Sequence, residues 1–352
     1  MTICFFGSYN RTYCRNRILI DGLEKNNIKI LHCNSHKEFF ITRYFELTKK
    51  FIQLSKNVDN IYVAYRGHLD VFCAVIVGFI FNKKVFFDIY YSLYDTYVND
   101  RRVVKPNSYK AVLYYLLDKY NCQLADCVIT YTMATSKYLS LTFKQPISKF
   151  KTVYIGGDEM LYKPISRKPR KKIIVEFHGW FTRMQGAEYF IQAAKLLENK
   201  KNIEFRLIGN TVNYGYVFEV LQKLKPKTLN YFKNMSEKKL AKKIANADIS
   251  VGHLSNITKA HVSISNKMYH AISCKVALIA ANYEATKELL TSGKNCLLVK
   301  PENACDLANK INTLIENRNL RNKIASSGYK YHQKYLTNKI IGKSLINIIR
   351  AV

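Results

Sequence analysis

The first constraint on how this chain can fold is a repeating alternation. Short apolar runs are separated by longer amphipathic stretches. In the first half, "TICFFG" (residues 2–7), "IKILHC", "NIYVAYR", "KVFFDIY", "DCVITYT" and "FKTVYIGG" read as strands. "RNRILIDGLEKN", "DVFCAVIVGFIFN" and "SYKAVLYYLLDKYNCQLA" lie between them and read as helices. Parallel strands need a long crossover, usually a helix, so this alternation predicts a parallel sheet wound on both faces. The rhythm stops at "YKPISRKPRKK" (residues 162–172), which is basic, carries two Pro and has no periodicity. It then resumes with "KIIVEFHG", "IEFRLIGN", "TLNYF", "DISVGHL", "VALIAA" and "NCLLVK" as strands, each followed by a helical stretch. An α/β chain with two domains follows. Residues 1–163 form the first domain, 164–172 a linker and 173–335 the second. Residues 336–352 are expected as a C-terminal helix packing back on the first domain.

Composition narrows the class. Lys and Arg number 56 against 25 Asp and Glu, a net charge of +31. That balance speaks of partners rather than fold: nucleic acid, an anionic membrane surface, or phosphate-bearing small substrates. No helix-turn-helix, zinc-finger or RNA-recognition signature accompanies it, so no nucleic-acid partner is expected. The nine Cys are scattered, with no C-x-x-C and no His/Cys spacing suited to zinc, so reduced thiols and no metal are expected. The N-terminal residues lack the basic and long apolar regions of a signal peptide. The most apolar run, "VFCAVIVGFIF" (residues 71–81), is too short to span a bilayer and reads as a core helix. A cytoplasmic chain is expected, with peripheral membrane attachment open to it. Residues 38–57, "EFFITRYFELTKKFIQLSKN", interleave Phe and Tyr with Arg43, Lys49, Lys50 and Lys56. As a helix this stretch has either an aromatic core face or a face for anionic lipid.

Ligands of doubly wound sheets gather at the carboxyl ends of the strands. In the second half, "IIVEFHG" runs into "WFTRMQG" and a helix, and Gly179 and Gly186 bracket that loop. A Gly there lets the backbone approach a ligand, and the helix N-terminus that follows favours an anion. Arg183 lies in the loop and suits a phosphate. "RLIGN" ends a second strand in Gly209 and Asn210. Asn266 and Lys267 open the helix "NKMYHAIS", with His270 one turn on. His253 ends "DISVGHL", and Glu284 and Glu288 can share a face of "EATKELL". In the first half, Gly7, Tyr9, Arg11 and Arg15 follow the first strand, and Arg66 follows "NIYVAY". Asp88 ends "KVFFD", with Asp95 seven residues later. Asp88 is either a general base or a structural carboxylate.

The order "VEFHGWFTRMQGAEYFIQAAKLL", "FRLIGN", "ADISVGHL", "ISNKMYHAISCKVALIA", "EATKELL", "GKNCLLVKP" resembles the C-terminal half of retaining GT-B glycosyltransferases of the group 1 (family 4) type. "CFFGSYNRTYCRNRILIDGL", "FFDIYYSLYDTYVNDR" and "YIGGDE" resemble the acceptor domain of the same family. The resemblance implies two facing Rossmann-like domains with a cleft between them. It implies a nucleotide-sugar donor on the second domain and a saccharide or lipid-linked (polyprenyl) acceptor on the first. It implies transfer with retention, in cell-surface polysaccharide or glycolipid assembly, without a cofactor or metal. On it, Gly179, Arg183, Gln185, Gly209, Asn210, His253, Asn266, Lys267 and Glu288 are donor-site residues. Gly7, Tyr9, Arg11, Arg15, Arg66 and Asp95 are acceptor-site residues, and Asp88 and His270 are the catalytic pair.

The match departs from the family pattern at four places. Trp180 and Gln185 stand where the family carries its two diphosphate cations, leaving Arg183 and Lys267 as the nearest replacements. The family has two Glu in the segment that "AHVSISNKMYHAIS" matches. Val262 holds the place of the first, which lies near the donor sugar, with His261 adjacent. His270 holds the place of the second, which lies near the ribose. These departures keep a second reading in view, a non-catalytic or partner-dependent GT-B pseudoenzyme.

Overall fold

The computed structural model describes residues 1–167, 169–211 and 214–352, so Lys168 of the expected linker lies outside the described residues. The chain divides into two compact units. The first comprises residues 1–99, 104–155 and 338–352, and the second residues 100–103 and 156–337.

In the first unit the elements run β1 (Thr2–Gly7), α1 (Cys14–Glu24), β2 (Lys29–Asn34), α2 (Phe40–Leu54), β3 (Asn60–Val63), α3 (Val71–Ile80), β4 (Lys84–Asp88), α4 (Tyr109–Leu124), β5 (Cys127–Thr130), α5 (Met133–Phe143) and β6 (Phe150–Thr152). The six strands form one parallel sheet in the order β2-β1-β3-β4-β5-β6. In the second unit they run β7 (Ile173–Phe181), α6 (Ala187–Leu196), β8 (Ile203–Thr211), α7 (Tyr216–Leu224), β9 (Leu229–Phe232), α8 (Glu237–Ala245), β10 (Ile249–Val251), α9 (Thr258–His261), α10 (Asn266–Ser273), β11 (Ala277–Ala281), α11 (Glu284–Lys287), β12 (Leu297–Val299), α12 (Ala304–Glu316) and α13 (Arg318–Tyr335). This sheet is also parallel, in the order β12-β11-β10-β7-β8-β9. In both sheets the strand order reverses beside the first strand, which opens a crevice at the carboxyl ends there. The final helix, α14 (Asn338–Ala351), belongs to the first unit and lies against α1.

Two expectations are corrected. The run 71–81 is not a fully buried helix. α3 buries Val71, Cys73, Ala74 and Val77 but leaves Phe72, Ile76, Phe79 and Ile80 exposed, Phe79 at 89%. An apolar run carries no polar face to reveal which side is outward. The stretch 164–172 is not a free linker. Arg167 Nε donates to the Ala245 carbonyl at 2.9 Å, and Arg170 donates to Asn246 Oδ1 at 3.0 Å and Asp248 Oδ2 at 2.5 Å. Its arginines fasten it to the second unit, whose boundary falls at residues 155/156 rather than 163/164.

A buried ion pair holds the first unit together. Arg15 on α1 and Asp88 at the end of β4 are both wholly enclosed. Arg15 Nε meets Asp88 Oδ2 at 2.8 Å, and Nη1 donates to the carbonyls of Val153 (2.8 Å) and Tyr154 (3.1 Å). Tyr62 Oη donates to Asp88 Oδ2 at 2.6 Å, and the Tyr90 amide donates to Oδ1 at 3.2 Å. Burial opposes the Arg15 charge, and the Asp88 carboxylate more than offsets that, so the guanidinium holds its proton more firmly than usual. The general-base role for Asp88 and the acceptor contact for Arg15 are therefore corrected. Their polar atoms are committed to one another and to the backbone, so they fix the strand ends instead.

The contact between α1 and α14 is made by glycine. A Cβ on Gly22 would stand 2.1 Å from the Asn338 carbonyl oxygen, and one on Gly342 would stand 2.2 Å from the Gly22 carbonyl. Backbone lies on both sides, so neither helix can yield by a rotamer change. Gly22→Ala is expected to lower the melting temperature by several degrees, corresponding to a cost of about 1–3 kcal/mol in a thermal melt. Asp88→Asn leaves Arg15 buried and uncompensated, and urea unfolding is expected to show a loss of about 3–5 kcal/mol. An Asn variant of unchanged stability would return Asp88 to the catalytic candidates.

Candidate functional site

Strands β7 and β8 run in register over nine residue pairs, and this sets Gly179 opposite Gly209. Both glycines have positive φ, 133° and 149°. A Cβ on Gly209 would lie 1.9 Å from the Gly179 carbonyl oxygen, so the two chains pass as bare backbone. A cavity of about 290 Å³ opens at these strand ends, lined by Tyr162, Gly179, Trp180, Ile208, Gly209, Asn234, Met235, Glu237 and Leu240. Asn210 follows, its Oδ1 accepting from the Thr211 amide at 2.8 Å.

Lys267 reaches this place from the first turn of α10. Its Nζ stands 3.4 Å from the centre of the Phe177 ring, and a Cβ on Gly179 would lie 3.8 Å from it. The residue is 4% exposed, and its ammonium nitrogen has no hydrogen-bond partner among the described residues. Burial lowers its pKa well below that of an ordinary lysine, with the Glu176 charge opposing. An amine buried without a hydrogen-bond partner beside two bare strand ends has the chemistry to receive an anion. Arg183 is half-buried in the short turn between β7 and α6, with Gln185 in the same turn. The side-chain oxygen of Gln185 is enclosed with no hydrogen-bond partner among the described residues.

His270 sits one turn beyond Lys267 in a chain that sequence spacing does not reveal. The Tyr162 ring stacks on it at 3.6 Å and 7°. Its Nδ1 lies 3.2 Å from Nε2 of His178, whose Nδ1 lies 2.9 Å from Glu176 Oε2. Ser250 Oγ donates to the other Glu176 oxygen. Glu176, His178 and Ser250 are all buried. With Glu176 as a carboxylate, His178 Nδ1–H donates to it and His178 Nε2 is an acceptor. His270 Nδ1–H then donates to that nitrogen, which makes His270 Nε2 the accepting atom of its ring. Alternation along β7 puts Glu176 and His178 on one face, but their partners on β10 and α10 lie too far off in sequence to be read from it.

The other expected residues fall into two groups. His253 is corrected from donor contact to loop anchor. It is fully buried, its Nδ1 meets Ser265 Oγ at 3.1 Å and its Nε2 meets the Ala260 carbonyl at 3.0 Å. Burial pushes its pKa down to about 4. Tyr9, expected to meet an acceptor, is also turned inward, its hydroxyl 2.7 Å from His32 Nδ1. Asp95 is buried and accepts from Asn99 Nδ2 at 2.8 Å, so it too leaves the acceptor set. Gly7 ends β1 with a φ of 110°, and Arg11 and Arg66 are exposed. Gly7 itself is buried with the Asp70 side chain beside it, so the two arginines are what remain available to a ligand on the first unit. Asn266 opens α10, and Glu288 lies half-buried just after α11.

This geometry can be set beside known proteins. Residues 158–331 match the family model described as Glycosyl transferases group 1. An uncharacterized glycosyltransferase of Methanocaldococcus jannaschii is 31% identical over 170 residues, which is 47% of this chain and 41% of that protein. The chain thus spans less than half the length of that curated relative. Among solved structures, Anabaena HepE in complex with UDP is similar with a TM-score of 0.73 at 15% identity, covering all of both chains. Sucrose-phosphate synthase from Thermosynechococcus elongatus is similar with a TM-score of 0.75 at 14% identity, covering 100% of this chain and 98% of that one. At such identities these likenesses show the fold. The chain has the GT-B fold of two Rossmann-like domains, and residues 158–331, within its second unit, are similar to the group 1 glycosyltransferase model.

Proposed function

We propose that the chain transfers a sugar from a nucleotide-sugar to a saccharide or lipid-linked acceptor with retention of configuration, in cell-surface polysaccharide or glycolipid assembly. The observation that carries the reading is Lys267, an uncommitted buried amine beside Gly179 and Gly209 in a group 1 glycosyltransferase domain. The donor diphosphate lies over these strand ends, with Lys267 and Arg183 neutralising the charge that develops on the leaving group. The base and ribose occupy the cavity beside Tyr162 and Glu237, and a ribose hydroxyl donates to His270 Nε2. The acceptor is taken by the first unit near Arg11 and Arg66, and its hydroxyl attacks on the face the diphosphate leaves, its proton passing to the departing diphosphate oxygen as the bond from that oxygen to the sugar breaks. No metal is required. Anabaena HepE was solved with UDP and with UDP-glucose, which makes a uridine diphosphate sugar the first donor to try. Val262, in the place of a family acid, favours the second reading: donor binding kept, turnover dependent on a partner or lost.

Lys267 gives this reading a pH signature. Its proton is held weakly in the free protein, and a bound diphosphate strengthens that hold, so binding takes up a proton. UDP affinity, followed by calorimetry, is therefore expected to be strongest at low pH and to fall as pH rises. Lys267→Met keeps the volume, removes a costly buried amine, and is expected to abolish the slope and weaken UDP binding by tenfold or more. A melting temperature that no nucleotide or nucleotide-sugar raises would sink both readings. A nucleotide that binds without hydrolysis or transfer across a panel of nucleotide-sugars selects the second.

The acceptor reading extends to a membrane surface, with the chain cytoplasmic and peripheral. No described helix is long and apolar enough to cross a bilayer. Yet α2, α3 and α4 adjoin in that order, and their outward faces carry Phe40, Phe45, Phe72, Phe79, Leu113 and Tyr120, all at least half exposed. Exposed Lys49, Lys84, Lys105 and Lys110 lie among them in sequence. Apolar insertion with a cationic rim suits an anionic bilayer. The chain is expected to float with phosphatidylglycerol vesicles and not with phosphatidylcholine vesicles, and Phe45→Ser/Phe79→Ser is expected to stay behind. Equal flotation with both lipids, or self-association through this face in sedimentation, contradicts the assignment.

A further inference from the structure

The second unit has a basic concavity away from the strand ends that hold Lys267. A cavity of about 790 Å³ lies where β7 and β10 begin, lined by Arg167, Arg170 and Lys172 of the 164–172 strap, Asp248, Lys275 and the first half of α13. Lys172 and Gly179 are separated by most of β7, so the two places lie roughly 20 Å apart at strand rise. They are separate sites.

Six cations line this cavity among the described residues: Arg167, Arg170, Lys172, Lys275, Arg318 and Arg321. Among the described lining residues Asp248 is the one acid, and it is already occupied. It accepts from Arg170 at 2.5 Å and from the Ile174 amide at 2.8 Å, and it pairs with Arg167 at 3.6 Å. Burial first, and the neighbouring guanidiniums after it, loosen the hold of Arg167 and Arg321 on their protons. Three of the cations have structural work. Arg167 and Arg170 fasten the stretch 164–172, and Arg321 donates to the Leu314 carbonyl. Lys172, Lys275 and Arg318 have none: all are exposed, and no described residue bonds or pairs with their side chains. The amino end of the eighteen-residue α13 opens here as well, beginning at Arg318, and adds its partial positive charge. Structural bonds explain half of the charge and leave the rest lining an open concavity of ligand size.

We infer that this cavity binds a small anion carrying two or more phosphate groups. Guanidinium forks suit phosphate oxygens, and Pro164, Ile165, Pro169, Ile315 and Ala325 give an apolar wall for an organic portion. An anion seated here bridges the 164–172 strap to α13, adding to the hold of Arg167 and Arg170 on the same strap.

The site is tested by titrating inorganic tripolyphosphate into the full chain by calorimetry. One equivalent is expected to bind. Arg318→Gln/Lys172→Gln is expected to weaken it by about tenfold or more, each lost charge-assisted contact contributing part of that loss. Lys339→Gln/Lys343→Gln on α14 removes the same charge from the first unit and is expected to leave the affinity within about twofold. If both double variants weaken binding alike, or several weak equivalents bind, the attraction is only that of a basic chain and the inference fails. Absence of binding overturns it too. Saturating UDP is expected not to displace tripolyphosphate, and displacement would assign the probe to the Lys267 site instead. The readout needs no glycosyl transfer, so loss of the donor reading leaves it standing. Should the double variant fold poorly by circular dichroism, Arg318→Gln alone serves, at an exposed helix-end position with no described partner.

Discussion

The ladder between β7 and β8 is the interaction on which the candidate site depends. Nine parallel pairs hold two strands level from Ile173 to Phe181. That register brings Gly179 and Gly209 together as bare backbone and opens the cavity beside them. It also sends Glu176 and His178 to one face, where β10 supplies Ser250 and α10 supplies His270. A one-residue slip would turn Glu176 and His178 to the opposite face and leave their partners buried without them. The polar chain and the ladder thus specify each other.

In the first unit the corresponding constraint is Arg15 with Asp88. One guanidinium joins α1 to the end of β4 and to the carbonyls after β6. Such a pair costs much desolvation and is tolerated because every near neighbour is a fixed polar partner. It ties α1 to the carboxyl ends of β4 and β6, while exposed Arg11 and Arg66 follow the neighbouring strands β1 and β3. The acid that the sequence offers as a general base is enclosed with Arg15 instead.

The alternation of strand and helix was legible because each element writes its own period into the chain. The group 1 pattern was legible because Gly179, Gly186, Gly209 and the α10 segment keep their order. The roles of Asp88, Arg15, Tyr9 and His253 were not, because each is decided by a partner distant in sequence or by burial. Asp88 and Arg15 are 73 residues apart, and His178 and His270 are 92. The same holds for the 164–172 stretch. Its Pro and basic residues look like a linker until Asp248 and the Ala245 carbonyl are placed beneath its arginines. For α3, a run apolar on all sides could not say which face was outward, and the exposed side is the one bearing Phe72 and Phe79.

His270 shows how the departures from the family pattern fit together. A carboxylate near a ribose accepts hydroxyl hydrogens but also places a negative charge near the diphosphate. A neutral imidazole accepts one hydrogen and adds no charge, provided its tautomer is fixed. In the chain from Glu176 through His178 to His270, the carboxyl group stands two side chains back from the place of the family acid. On the proposed donor reading, Arg183 and Lys267 are the nearest replacements for the cations absent at Trp180 and Gln185. With cationic help in the loop reduced, withdrawing a charge from the ribose side lowers the cost of bringing in a diphosphate. Val262 has no such compensation: an aliphatic side chain accepts nothing from the donor sugar. Val262 thus marks, on the proposed donor reading, the place where this chain departs furthest from the family pattern.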